Sequence, residues 1–154
     1  MKKIAVIGSS GGNLYRQGGD NPKAMLNEIK IQADSAGMEL AFVQFIGIEG
    51  SMDGAYDDAP AKLYVLSGET VEIVSEGNLI GINREAKGYD EKLAAMIEND
   101  EIDGLIILSC DPQNVNNKSL AAAAEKKIPV QKNISVYPSL PPQLFFPYPF
   151  TSES

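Results

Sequence analysis

Short apolar runs alternate with amphipathic segments along the first part of the chain. Residues 4–7 are apolar at consecutive positions, which is typical of a strand covered on both faces in a parallel sheet. A helical stripe follows from about Pro22 to a stop at Gly37, and residues 38–45 have the pattern of a second strand. The apolar stripe of this helix consists of Ala24, Met25, Ile29, Ala33 and Ala36. These segments predict a β-α-β unit with two parallel strands.

The middle of the chain departs from this alternation. Residues 46–59 have no sustained period and predict a surface loop. Residues 61–67 and 70–75 are β-prone and are separated by Gly68-Glu69, the spacing of a tight hairpin with glycine first. A long amphipathic helix is then predicted by Ile82, Ala86, Tyr89, Leu93, Met96 and Ile97.

The last regular segments return to the first pattern. Residues 103–109 predict a third buried parallel strand, residues 115–127 a helix, and residues 128–130 the start of a fourth strand. The expected fold class is α/β, a three-layer Rossmann-like sandwich with a mainly parallel sheet of order 2-1-3-4 and an inserted β-hairpin. Residues 1–130 form the single domain, and residues 47–78 are the loop and hairpin insertion.

Residues 131–154 differ in composition from the rest. They are rich in proline and aromatic residues, and the proline spacing forbids a helix or a central strand. We expect an irregular tail. Two interpretations remain open: the tail wraps an apolar face, or it is an altered C-terminus that is not native to the domain.

Composition narrows the classes of partner and chemistry. The net charge is −8, with 13 Lys and Arg against 21 Asp and Glu, so no nucleic-acid partner is expected. No apolar run approaches the roughly 20 residues that span a bilayer, so no membrane insertion is expected. With one cysteine and no recognisable export signal, the expected compartment is the cytoplasm. The chain has no histidine, which removes the commonest general base and every His-containing zinc site.

The loop after the first strand is the main candidate for ligand binding. It contains Gly8, Ser9, Ser10, Gly11, Gly12 and Asn13, whose backbone N–H groups could receive a phosphate or carboxylate. The loop lacks the lysine of a P-loop and the spacing of a dinucleotide fingerprint, and Gln44 stands where such a domain has an acid. No cofactor is therefore predicted. Glycines that serve only tight turns are the alternative.

Two residues after the third predicted strand carry further chemistry. Cys110 is interpreted as a half-buried packing residue, with a nucleophile or phospho-acceptor as the alternative. Asp111 is interpreted as the helix cap before Pro112, with ligand contact as the alternative. The acidic residues of the 46–59 loop miss the spacing of a calcium loop, so no metal is predicted.

Two segments carry a resemblance to a known family. One is Lys3-Ile4-Ala5-Val6-Ile7 with Ser9, Asn13 and Tyr15 after it; the other runs from Ile102-Asp103-Gly104 through Asp111-Pro112 to Ile128-Pro129-Val130. Over about half its length the chain resembles the first lobe of the type I periplasmic-binding and LacI-type sugar-binding domains. The resemblance implies that Ser9, Asn13, Tyr15 and Ser109 contact a sugar. The resemblance does not extend to the second lobe that completes the site in that family.

These observations lead to one principal functional hypothesis. Strand order 2-1-3 brings the loop at Ser9 towards Ser109, Cys110 and Asp111, where open parallel sheets bind ligands. We expect a cytoplasmic domain that binds a small metabolite (a sugar, phosphosugar or carboxylate), as a sensor or as the soluble part of a bacterial transport or regulatory system. A homo-oligomer or partner chain would complete the site. The alternatives are a flavodoxin-like enzyme that uses Cys110 and a protein-interaction module that acts through the tail; ligand identity and catalysis stay open.

Overall fold

In the part of the chain that the structure describes, six strands form one sheet with helices on both faces. The structure is a computed structural model and describes residues 2–10, 21–48, 59–109 and 115–133. Its elements are β1 (Lys2–Ser10), α1 (Asn21–Ser35), β2 (Met38–Ile48), β3 (Pro60–Ser67), β4 (Thr70–Asn78), α2 (Leu79–Glu98), β5 (Gly104–Ser109), α3 (Asn117–Lys126) and β6 (Val130–Asn133). The predicted α/β class is confirmed.

The sheet is mixed, with the order β4-β3-β2-β1-β5-β6. Strands β2, β1, β5 and β6 run parallel, whereas β3 pairs antiparallel with β2 and with β4. The expected mainly parallel sheet of order 2-1-3-4 is therefore wrong for the sheet as a whole. The reason is that the hairpin is not a separate insertion: its backbone groups complete the open edge of β2 and add two strands to the same sheet.

The hairpin itself forms where the sequence predicted it. Strands β3 and β4 are joined by Gly68 and Glu69, and Ser67 and Thr70 are register partners. Gly68 has a φ of +64°, a conformation that glycine adopts without the steric cost of a side chain. This turn explains why glycine occupies the first of the two loop positions.

Alternating residues of β1 pack into two different cores. Ile4 and Val6 belong to the cluster that contains Leu26 and Ile29 of α1. Ala5 and Ile7 belong to the cluster on the opposite face, which contains residues of α2 and α3 such as Leu93. Successive side chains of a strand point to opposite faces, so the molecule has three layers, with α1 on one side and α2 and α3 on the other.

Several element boundaries differ from the predicted ones. Strand β1 continues to Ser10, so Gly8, Ser9 and Ser10 are strand residues and not part of the predicted loop, because they pair with β2 and β5. Strand β2 continues to Ile48, and Ile46 and Ile48 are buried with residues of α2, so the first three residues of the predicted 46–59 loop are strand. Residues 49–58 lie outside the described residues. Strand β6 likewise takes in residues 131–133, which the sequence assigned to the irregular tail, because they pair with β5. The remainder of that segment, 134–154, lies outside the described residues.

The buried stripe of α1 is also displaced from the predicted one. Met25, Ile29 and Ala33 are buried as expected, and Leu26 is buried as well. Ala24 and Ala36 are exposed, in contrast to the prediction. Leu26 lies three residues before Ile29, and the larger side chain takes the core-facing position because its burial removes more apolar surface from water.

Candidate functional site

The predicted site residues lie where β1 and β5 end side by side. Ser9 and Ser109 are register partners in these parallel strands, and Ser9 is also in register with Ile46 of β2. Ser9 is half-buried. From β1 the chain connects first to β2 on one side and later to β5 on the other, so this edge is the point at which the strand order reverses.

Only part of the predicted site falls within the described residues. Gly8 and Ser9 are described in full, and Ser10 and Ser109 by their backbone positions at the strand ends. The other predicted contacts lie outside the described residues: Gly11, Gly12, Asn13, Tyr15, Cys110 and Asp111. Ligand contacts of all these residues stay predictions, as does the alternative role of Cys110 as a nucleophile.

Gly8 has a structural reason to be glycine. Its φ is +142°, and a Cβ at this position would lie 2.2 Å from the backbone carbonyl oxygen of Leu108 on β5. No side chain fits at this separation, because the obstacle is backbone and not the end of a flexible side chain. Gly8 thus permits the close approach of β1 and β5 just below the Ser9–Ser109 pair.

A cluster of four buried polar residues lies on the α2/α3 face of the sheet. It consists of Gln44 of β2, Asp90 of α2, Asn116 at the N-cap of α3 and Ser119 of α3, which are 1%, 3%, 0% and 0% exposed. We call it the polar cluster. Gln44 is in register with Ile7, whose side chain faces α2 and α3, so the amide of Gln44 enters the cluster from the sheet.

The Asp90 carboxylate is the acceptor at the centre of the polar cluster. It accepts hydrogen bonds from the backbone N–H groups of Ser119 (2.9 Å, at Oδ1) and Lys118 (3.1 Å, at Oδ2). Oδ1 also lies 3.5 Å from Nδ2 of Asn116. The N-cap residue Asn116 makes no side-chain capping bond of its own, so a carboxylate from another helix caps α3.

This arrangement corrects the assignment of Asp111 as the cap of the third helix. The N-cap position of α3 is Asn116, five residues further along, and the capping oxygens come from Asp90 of α2. A capping residue has to lie next to the first helical turn, either in sequence or in space. Asp90 does so in space, which a sequence pattern does not reveal.

Two polar atoms of the cluster have no hydrogen-bond partner among the described residues. The Asn116 amide donates through Nδ2 to Oε1 of Gln44 (2.7 Å) and lies 3.3 Å from Oγ of Ser119. Within the described part of the chain, Gln44 Nε2 and Asn116 Oδ1 are buried and unpaired. The orientation of the Asn116 amide follows from Asp90, because exchange of its oxygen and nitrogen would turn an acceptor towards the carboxylate. An unpaired donor and an unpaired acceptor therefore coexist in one buried cluster.

The sequence contains two signals for the polar cluster, but its patterns alone do not show which residues meet. Gln44 is the one amide in the apolar run of residues 41–48, which is buried on both faces of the sheet. Asp90 lies four residues after Ala86 and three before Leu93, so it falls on the buried stripe of α2. Polar residues at core positions are normally hydrogen-bonded to one another. From the sequence, Gln44 argued only against a dinucleotide, and no pattern selected Asp90, Asn116 or Ser119.

The described cavities do not include the predicted site residues. One of them has a volume of about 510 Å³ and lies at the opposite, amino edge of the parallel strands, between Lys3, Met38 and Gly68. Its charged lining includes the Lys3–Glu39 and Lys30–Asp34 pairs. The two other charged lining residues, Glu69 and Glu101, are both acidic, so this cavity does not favour a phosphate or carboxylate.

Among residues 2–10, 21–48, 59–109 and 115–133, no group of three or more Cys, Asp or Glu side chains is arranged to hold a metal ion. None of the described helices is long and apolar enough to cross a membrane.

The chain was compared with protein-family models, curated proteins and solved structures. None of them matches. The resemblance to the first lobe of the type I periplasmic-binding and LacI-type domains thus rests on the two sequence segments that carry it.

Proposed function

We propose that the chain is a cytoplasmic small-metabolite binding domain whose ligand lies at the carboxyl edge of the parallel strands. The ligand class is a sugar, phosphosugar or carboxylate, and the domain acts as a sensor or as the soluble part of a bacterial transport or regulatory system. The observation that carries the proposal is the register pairing of Ser9 with Ser109 at the point where the strand order reverses.

The surroundings of this pair support a binding role. Gly8 directly precedes Ser9, and its lack of a side chain permits the close approach of β1 and β5 next to the Ser9–Ser109 pair. The polar cluster lies on the α2/α3 face of the sheet, and its buried amide groups are close to the carboxyl edge of the parallel strands. Small-molecule sites combine an apolar wall with a few convergent polar groups of this kind.

The test is a ligand screen by thermal shift and isothermal titration calorimetry. The probes are D-ribose, D-glucose, myo-inositol, ribose 5-phosphate and citrate, with wild-type protein, Ser9→Val and a control variant, Ser67→Val, at the end of β3. We expect at least one probe to raise the melting temperature of the wild type and of Ser67→Val, and to bind Ser9→Val at least tenfold more weakly. If no probe binds the wild type, or Ser9→Val binds as well as the control, the proposed site is wrong.

The proposal includes a second wall for the site. A single sheet edge covers one side of a ligand, whereas most small-molecule sites bury the larger part of the ligand surface. A second copy of the chain or a partner chain would supply the other side. Analytical ultracentrifugation with and without the tightest-binding probe measures the oligomeric state. A strict monomer in both conditions contradicts a site that is completed by a second copy of the chain.

A further inference from the structure

We infer that Gln44 and Asn116 together bind one neutral hydroxyl group of the ligand, at the inner end of the proposed site. This inference rests on the proposed function and narrows the ligand class to an uncharged polyhydroxyl compound such as a sugar or polyol. It assigns the recognition to two residues that sequence patterns did not select. The observation that carries it is a pair of buried atoms without a hydrogen-bond partner in the described part of the chain, Gln44 Nε2 and Asn116 Oδ1.

The position of Gln44 relates the polar cluster to the strand ends. Ile7 is in register with Gln44, and Ser9 with Ile46, so Gln44 lies two residues below the Ser9 row. Two residues of strand correspond to about 7 Å. Ile7 and Ser9 alternate onto the same face, the one covered by α2 and α3. A molecule that contacts Ser9 could therefore reach Gln44 with a group a few bonds further in.

The chemistry of the two atoms favours a hydroxyl. Gln44 Nε2 is a donor and Asn116 Oδ1 is an acceptor, and a hydroxyl group can accept from the first and donate to the second. A carboxylate or a fully ionised phosphate only accepts, so it would leave Asn116 Oδ1 facing another acceptor. An ammonium group only donates and would fail at Gln44. A hydroxyl of a sugar or polyol satisfies both atoms.

The Asp90 carboxylate argues against an anion at the same place. The N-terminus of a helix attracts anions through its unpaired N–H groups. In α3 the N–H groups of Lys118 and Ser119 already donate to Asp90, so this end of the helix carries its own negative group. A phosphate or carboxylate placed beside Asn116 would meet the Asp90 carboxylate with neither of these donors available.

The test combines binding measurements with spectra of the two side-chain amides. The probes are D-ribose, D-glucose and myo-inositol as neutral compounds, and ribose 5-phosphate and citrate as anions. Heteronuclear NMR of ¹⁵N-labelled full-length protein follows the Gln44 and Asn116 side-chain signals, and calorimetry compares wild type with Gln44→Met. Gln32→Met makes the same change on α1, on the other face of the sheet, and is the matched control.

We expect a neutral probe to shift the Gln44 amide signal and to bind Gln44→Met at least tenfold more weakly, with Gln32→Met within twofold of wild type. Ribose 5-phosphate should bind no more tightly than ribose. Where Gln44→Met fails to fold, the shift of the wild-type amide signals under neutral probe decides.

Three outcomes would overturn the inference. In the first, an anionic probe binds more tightly than every neutral one; if that binding depends on Ser9, the proposed function stands and only the ligand class is wrong. In the second, a neutral probe binds equally well to wild type and Gln44→Met. In the third, the Gln44 side-chain amide is hydrogen-bonded to an ordered water and its signal responds to no probe. If no probe of either charge binds at all, the proposed function fails as well.

Discussion

The backbone N–H of Ser119 in α3 donates a hydrogen bond of 2.9 Å to Oδ1 of Asp90 in α2. These residues are 29 positions apart in the sequence, and both are buried. The bond ties the start of one helix to the middle of another and holds the polar cluster together.

Replacement of Asp90 should destabilise the fold. Asp90→Ala leaves the N–H groups of Lys118 and Ser119 without their acceptor in a buried place, and we expect a loss of about 2–3 kcal/mol in the free energy of unfolding. Urea denaturation followed by circular dichroism measures the loss. Glu91→Gln is the control, because Glu91 is the next residue and also contacts Lys118, but through an exposed ion pair. Equal effects of the two substitutions would contradict a capping role for Asp90.

Gly8 should tolerate no side chain. A Cβ would lie 2.2 Å from the carbonyl oxygen of Leu108, and the φ of +142° disfavours L-residues, so Gly8→Ala should cost about 3 kcal/mol. Gly88→Ala is the matched control: Gly88 lies within α2, and a Cβ there meets nothing within 4 Å. This control should gain about 1 kcal/mol from helix propensity. Unfolding curves that rank the two variants in the reverse order would disprove the close approach.

Lys127 ends α3 in a left-handed conformation that glycine adopts more readily. Its φ is +56°. We expect Lys127→Gly to raise the free energy of unfolding by about 0.5 kcal/mol, because the relief of backbone strain in the folded state outweighs the larger conformational entropy that glycine gives the unfolded chain. Gly37→Ala reverses the change at a φ of +74° with open space around it, and should cost about 1 kcal/mol. Differential scanning calorimetry of both variants checks the signs; a stabilised Gly37→Ala would refute the argument.

Glu72 should make stability depend on pH in the acid range. Thr70 Oγ1 donates to it (3.0 Å) and Lys23 Nζ pairs with it (3.2 Å), and these contacts lower the pKa of Glu72 from its usual 4.5, the Thr70 bond most. A lowered folded-state pKa stabilises the fold above the unfolded pKa, and this stabilisation is lost as the pH falls through the folded value.

The variant Glu72→Gln tests this sign. Its melting temperature should lie slightly below that of the wild type at pH 7. The difference should shrink as the pH falls below the usual glutamate pKa of 4.5 and disappear once Glu72 is protonated in the folded protein. Thr70→Val should reduce the difference, since it removes the main cause of the shift. A gap between wild type and Glu72→Gln that widens towards low pH would show the opposite linkage.

Local pattern was sufficient for most of the regular elements. The stripe of Ile82, Ala86, Leu93 and Ile97 recurs at helical spacing, and these residues are the buried face of α2. The Gly68-Glu69 turn between two β-prone runs forms the expected hairpin. Signals of this kind depend on residues a few positions apart, so they can be recognised without the tertiary structure.

Pairing between distant segments needed the tertiary structure. The sequence of residues 60–78 does not predict that β3 pairs with β2, because an exposed sheet edge can pair with any strand of suitable register. The cap of α3 is a similar case: a carboxylate near the start of a helix can be supplied from any element that passes nearby, and here Asp90 of α2 supplies it.

The candidate site divides in the same way. The sequence by itself determined that residues 4–7 belong to a buried strand and that a later buried strand ends at Ser109, since strand type is a local property. It assigned Gly8, Ser9 and Ser10 to the following loop, whereas they are the last residues of β1. Only the tertiary structure decided that Gln44, Asp90, Asn116 and Ser119 meet in one buried cluster. The physical reason is that a buried polar group needs a partner, and that partner is chosen by packing in space rather than by distance along the chain.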